Sequence, residues 1–137
     1  MKKHLNISLA YAIAAMAGGV FYREFTKLQG FTGVTALGKV HPHLFLLGML
    51  IFLIVALFSQ HCELTKIRSF RIFLWTYNIG VPLTAAMLLV RGITQVLGLT
   101  LSTAASAAIS GIAGIGHLLT GVGLILLLVV LKKTGKS

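Results

Sequence analysis

The chemistry open to this chain of 137 residues rests on five histidines, because it holds only two acids, Glu24 and Glu63, and one cysteine, Cys62. His117 lies inside a long apolar run, and His41 and His43 flank Pro42 at the head of another. A neutral imidazole carries one N–H donor and one lone pair, and that lone pair is a common metal ligand. An ionisable side chain at membrane depth is a functional-site hypothesis by default. Around His117, Gly114 at −3, Gly121 at +4 and Ala113 at −4 share one helical face and leave a bare strip beside the ring. Something flat fits such a strip, either another helix or a macrocycle. The plainer reading is an imidazole bonded to a hydroxyl on a neighbouring helix.

The placement of His41 and His43 depends on where their helix begins. If Pro42 takes the first helical position, His41 is the cap and His43 lies in the first turn. If the helix begins near Val34, the two point to nearly opposite faces. One stripe then holds Gly38, His41, Phe45, Gly48 and Phe52, and another holds His43, Leu47, Leu50 and Ile54. In either case one imidazole faces the bundle. A plain interfacial pair that caps the helix is the competing account.

Arg23, Lys39 and Arg91 gather at the same boundary as these histidines. They suit lipid phosphates, or equally the carboxylates of a cofactor whose ring lies deeper. Tyr77, Asn78 and Thr84 are read as bonds across helices. His61-Cys62 and His4 are read as structural, since two ligands do not make a zinc site. The chain has no glycine-rich phosphate loop, no paired carboxylates and no nucleophile beside a base. Nor is there an intramembrane acid to relay protons, so hydrolysis and ion-coupled transport lose support.

The elements that must hold these residues emerge from composition. The chain is 57% hydrophobic and 10% charged, with mean hydropathy +0.96; a soluble domain carries about 25% charged residues. A soluble enzyme, a nucleic-acid-binding domain and a disordered tail are excluded. The net charge of +10 sits at the ends of apolar runs, which is how a membrane protein is oriented. Four runs approach the ~20 residues a spanning helix needs. They predict helices over about 5–22, 41–60, 70–91 and 107–131, in one transmembrane domain covering 1–137. The first run has the make-up of a signal peptide, with Lys2, Lys3 and Ala15-Met16-Ala17, and is read here as an anchor helix.

One side of this arrangement holds Lys2, Lys3, Lys66, Arg68, Arg71, Lys132, Lys133 and Lys136; the other holds Arg23, Lys27, Lys39 and Arg91. The excess predicts both termini in the cytoplasm of a multi-pass protein of the cell membrane. His117 then falls roughly 21 Å from the inner boundary at 1.5 Å rise per residue. His43 lies nearer the outer boundary, so a tilted second helix is needed to bring the two level. Small residues on helix one (Ala14, Ala15, Gly18, Gly19) and helix four (Gly111, Gly114, Gly116, Gly121, Gly123) predict close helix packing or homo-oligomers. Every helix is expected to touch at least two others. Pro82 is expected to kink helix three.

The run His41-Pro42-His43-Leu44-Phe45-Leu46-Leu47-Gly48-Met49, with Gly116-His117-Leu118-Leu119, resembles a family of small bacterial four-helix membrane proteins of unknown function, over the whole chain. A histidine at the head of an apolar helix, with a glycine several residues on, also resembles the haem-bearing helices of haem–copper oxidase catalytic subunits. That second resemblance implies an axial ligand to a b-type haem. The histidines are too few for a second haem and a copper site, so a complete oxygen-reducing centre is not implied.

These readings converge on an all-α, integral membrane four-helix bundle. Its expected function is to bind one haem b between helices two and four, with a redox or gas- or haem-sensing role. His43 and His117 are the expected iron ligands, with His41 as the alternative to His43. Gly114 and Gly121 give room, and Arg23 and Arg91 meet the propionates. The competing functions are a non-enzymatic oligomeric subunit and a small metal or solute permease.

Overall fold

The structure, a computed structural model, describes residues 1–135. Four helices are long and apolar enough to cross a membrane: α1 (Lys2–Leu28), α2 (Leu37–Phe58), α3 (Arg68–Val96) and α4 (Thr103–Thr134). No strand occurs among the described residues. Each helix is longer than its apolar run predicts. The extensions cover polar residues such as Arg23, Lys27 and Gln95, whose long side chains suit a polar helix end.

Glycine sets the true stops. Gly30 and Gly98 adopt φ of +60° and +63°, a conformation open mainly to residues without a Cβ. After α3, Gly98 N–H donates to Gln95 O at 3.2 Å and Leu99 N–H to Thr94 O at 3.0 Å. After α1, Gly30 N–H donates to Lys27 O at 3.1 Å and Phe31 N–H to Thr26 O at 2.9 Å. Both are the paired bonds of a glycine-terminated helix. Ser102 caps α4, its Oγ accepting from Ala105 N–H at 3.1 Å. Between α2 and α3 the chain turns through a short 3₁₀ segment, Leu64–Lys66.

α2 is not uniform. It is α-helical over Leu37–His43, π-helical over Leu44–Leu50 and α-helical again over Ile51–Phe58. Pro42 lies inside it rather than at its first position. Two side chains reach carbonyls of the π segment: Tyr77 Oη donates to Leu47 O and Ser8 Oγ to Met49 O, each at 2.8 Å. α3 runs from Arg68 to Val96 without interruption, with Pro82 inside.

The helices do not form a closed ring. α1 packs extensively on α2, and α4 on α3, while the two pairs meet through α2 and α3. The expectation that every helix has two close neighbours therefore fails for α1 and α4. Each leaves a broad apolar face exposed, including Leu9, Ile13 and Met16 on α1 and Leu118, Ile125 and Leu128 on α4. The buried centre is aromatic: Phe52, Phe70, Phe73 and Tyr77. Tyr11 stacks on Phe52 with ring centres 5.7 Å apart.

The α3–α4 seam depends on missing side chains. A Cβ on Gly80 would stand 2.6 Å from Thr120 N, and one on Gly116 2.7 Å from Thr84 Oγ1. A Cβ on Gly123 would lie 2.9 Å from the Tyr77 ring. In contrast Gly111, Gly114 and Gly121 have nothing within 4 Å of that position. Only some of the glycines of α4 serve packing. Gly116→Leu should therefore destabilise by about 1–3 kcal/mol through overpacking, while Gly111→Leu costs nothing and gains up to about 1 kcal/mol of helix propensity. Thermal unfolding in detergent, followed by gel-filtration peak height, compares the two.

Candidate histidine site

His43 and His117 are neighbours. Their ring centres lie 6.3 Å apart, with planes nearly perpendicular at 86°. His43 Nδ1 is 2.7 Å from Lys39 O, and His117 Nδ1 is 2.8 Å from Ala113 O. A carbonyl only accepts, so Nδ1 must carry the proton in both rings. Each neutral ring then presents Nε2 as a bare lone pair. A bond from the other ring nitrogen to a carbonyl is the usual way a ligating histidine is oriented.

α2 begins at Leu37, about one turn before the start at 41 that the apolar run predicts, so His43 lies six residues inside the helix, roughly 9 Å from its N-terminal end at 1.5 Å per residue. His117 lies roughly 21 Å from the N-terminal end of α4.

The strip beside His117 is open. Gly114 and Gly121 face empty space, and His117 itself is exposed. On the facing side, Lys39, Pro42, His43, Leu46 and Leu47 line a mostly apolar groove of about 290 Å³. Arg91 closes the end of the strip nearest the N-terminus of α4. Its Nη2 donates to Ser110 Oγ at 2.7 Å and lies 3.4 Å from Ser106 O. Ser110 is two turns N-terminal to His117 on the same face, about 10 Å away. These two serines escape a reading that looks for charged or aromatic residues, because serine in a helix ordinarily bonds its own backbone.

His41 stands apart from this group. Its Nδ1–H is held by Ala15 O of α1 at 3.1 Å, and its ring meets Phe45 edge-on at 4.8 Å. A Cβ on Gly19 would come within 2.9 Å of His41 Nδ1. Arg23 shares this pocket with His41 and Tyr22, and its Nε is 3.6 Å from Glu24 Oε1 on an exposed surface. The structure thus brings His43 of α2 and His117 of α4 together, leaves Gly114 and Gly121 open on α4, and holds Arg91 of α3 on Ser110; His41 is turned to α1, where Arg23 lies.

At the opposite end of the molecule, His4, His61 and Cys62 line a cavity of about 270 Å³. His4 is buried there with its Nδ1 unpartnered. Among the described residues no three His, Cys, Asp or Glu side chains are grouped to hold a metal ion by themselves.

Fold and site together define a small all-helical protein with four potential membrane spans and a pair of histidines on an open flank. The chain belongs to the family described as protein of unknown function (DUF2871), whose model matches residues 1–134. No curated protein and no solved structure matches it. The likeness to haem–copper oxidase helices accordingly rests on the residues quoted for it alone.

The proximity of the two rings can be checked without any ligand. With Cys62 replaced by serine, a His43→Cys/His117→Cys pair should cross-link with a short bifunctional thiol reagent. The His41→Cys/His117→Cys pair should not, because residue 41 faces α1. Cleavage between α2 and α3 followed by a denaturing gel reads the link; equal cross-linking of both pairs would remove the distinction between the two faces.

Proposed function

We propose that this chain is a multi-pass protein of the cell membrane that binds one b-type haem between α2 and α4, with His43 and His117 as axial ligands. The carrying observation is the 6.3 Å spacing of two rings whose Nδ1–H groups are both tied to their own helices. Two imidazoles on one ion, at ~2.0 Å per metal–nitrogen bond, have ring centres roughly 6 Å apart. Two protein ligands suffice for haem because the porphyrin supplies the other four. The bare strip at Gly114 and Gly121 gives a flat ring room beside the helix.

Lipid makes the case stronger. An acceptor left without a partner in hydrocarbon costs several kcal/mol. Two such lone pairs side by side on an apolar flank call for something that binds both. Arg91, held by Ser110, and Lys39, beside His43, lie where acidic substituents of a macrocycle would emerge. The bound iron would supply a one-electron couple, its potential set by its axial ligands and by burial. A redox role, or the sensing of a gas or of haem itself, would follow from that couple.

The exposed apolar faces of α1 and α4 support insertion into a bilayer, since they suit hydrocarbon and not water. The excess of Lys and Arg on the turn side supports cytoplasmic termini. An impermeant thiol reagent applied to intact cells should then leave Cys62 unlabelled, while a permeant one labels it. Strong labelling by the first would reverse the orientation.

Protein purified from haem-replete cells should be coloured, with a Soret band that sharpens on reduction. His117→Ala and His43→Ala should each lose at least about nine-tenths of the bound haem, as losing one of two axial ligands implies. His41→Ala should retain it. Colourless wild-type protein that takes up no added haemin would overturn the reading and leave the open strip to a second copy of the chain, as in an oligomeric subunit.

A further inference from the structure

A second groove, of about 470 Å³, runs between α1 and α3 on the flank away from the histidine pair. Ala10, Ala14, Ala86 and Leu89 form its walls and Leu44 of α2 its floor. Its polar groups are few and converge at one point. Tyr11 Oη donates to Asn78 Oδ1 at 3.3 Å, and Asn78 Nδ2 donates to Leu74 O at 2.8 Å. An amide nitrogen has two hydrogens, so one N–H of Asn78 is left for another partner. Pro82, also in the groove, has no N–H to give the Asn78 carbonyl one turn before it. The groove therefore offers one donor and one acceptor at the same depth.

That depth selects the occupant. Asn78 is ten residues into α3, about 15 Å from its start at 1.5 Å per residue, or half of a ~30 Å hydrocarbon layer. A phospholipid keeps its head group at the interface and brings only its tails this deep. The lipids that carry weakly polar groups to the middle of the bilayer are apolar-tailed rings bearing carbonyls or hydroxyls. We propose that the α1–α3 groove, with Asn78 and the carbonyl freed by Pro82 at its centre, binds the ring of an isoprenoid quinone or quinol. A quinone carbonyl accepts from the Asn78 amide N–H, and a quinol hydroxyl donates to the Asn78 carbonyl. The alanine walls leave a flat slot between the helices for the ring. This site stands independently of the haem reading.

Trp75, the only tryptophan, lies one helical turn from Asn78 on the same face, and quinones quench indole fluorescence on contact. The full chain in phosphatidylcholine vesicles, titrated with a ubiquinone bearing a single isoprene unit, should show saturable quenching of Trp75. Ala86→Leu, which fills the exposed wall of the groove, and Asn78→Leu, which removes the donor, should each weaken the midpoint by about tenfold or more. Ala108→Leu, outside the groove on the exposed start of α4, should leave it unchanged. Non-saturating quenching equal in all four proteins would mean partition into lipid only and would overturn the proposal. So would equal displacement of the quinone by a saturated hydrocarbon, or a wild-type dimer that Ala86→Leu converts to monomer. Haem content plays no part in the readout.

Discussion

The rotation of α2 about its own axis decides what the rest of this molecule can do. Below the π segment, Phe52, Val55 and Ala56 fix one face of α2 in the aromatic centre. Above it, Leu37 and Val40 are buried. Each residue added to a helical turn rotates the remainder of the helix by about 100° relative to a regular one. Leu44–Leu50 is where that adjustment is made. It leaves His41 turned to α1 and His43 turned to α4. Tyr77 Oη on Leu47 O and Ser8 Oγ on Met49 O tie the loosened segment to α3 and α1. Gly48 admits the Tyr11 ring, which a Cβ there would strike. A π segment persists only where its surroundings fix it, and such segments are frequent at functional sites.

The α3–α4 seam supplies the second condition. Close contact at Gly80, Gly116 and Gly123 turns one side of α4 into α3. The stripe carrying Ser110, Gly114, His117 and Gly121 is then turned outward. The same helix is thus glycine-rich on two faces for opposite reasons: on one because a neighbour touches the backbone, on the other with no protein atom nearby. Seen only as composition, the two faces are indistinguishable.

Hydrophobic length makes the four helices legible in the sequence, because an apolar run of that size has few alternatives. Their ends are less legible. Arg23 and Arg91 look like boundaries, yet α1 and α3 continue until Gly30 and Gly98 turn the chain through positive φ. Those two glycines are plain in the sequence and are the better signal. The pairing of His43 with His117 follows from their being on the same side of the molecule, whereas the choice between His41 and His43 needs the start of α2 and its π segment. Only the structure shows that the buried positions Val40, Leu44, Gly48 and Phe52 recur at four-residue steps, because the residues between them are mostly as apolar. A regular α-helix drifts by about 40° at each such step. The place of Arg91 near the C-terminal end of α3 is legible from its position after an apolar run, but its grip on Ser110 depends on how α3 crosses α4.

Because α1 leans mainly on α2 and α4 mainly on α3, the four helices form a zigzag with a furrow on each flank. One lies between α1 and α3, with α2 beneath it; the other lies between α2 and α4, which face each other across α3. A closed bundle would have filled both with side chains. Here each furrow is apolar except where it presents a small set of unspent polar atoms: the Nε2 atoms of His43 and His117 in one, the Asn78 amide and carbonyl in the other. Polar atoms left without partners in an apolar furrow cost stability unless they are met. A chain selected only to pack would place alanine, leucine or glycine there, as it does along much of the same walls. The unspent polar atoms are exceptions in largely apolar surfaces, and they sit where a flat or narrow ligand has access from the flank of the molecule.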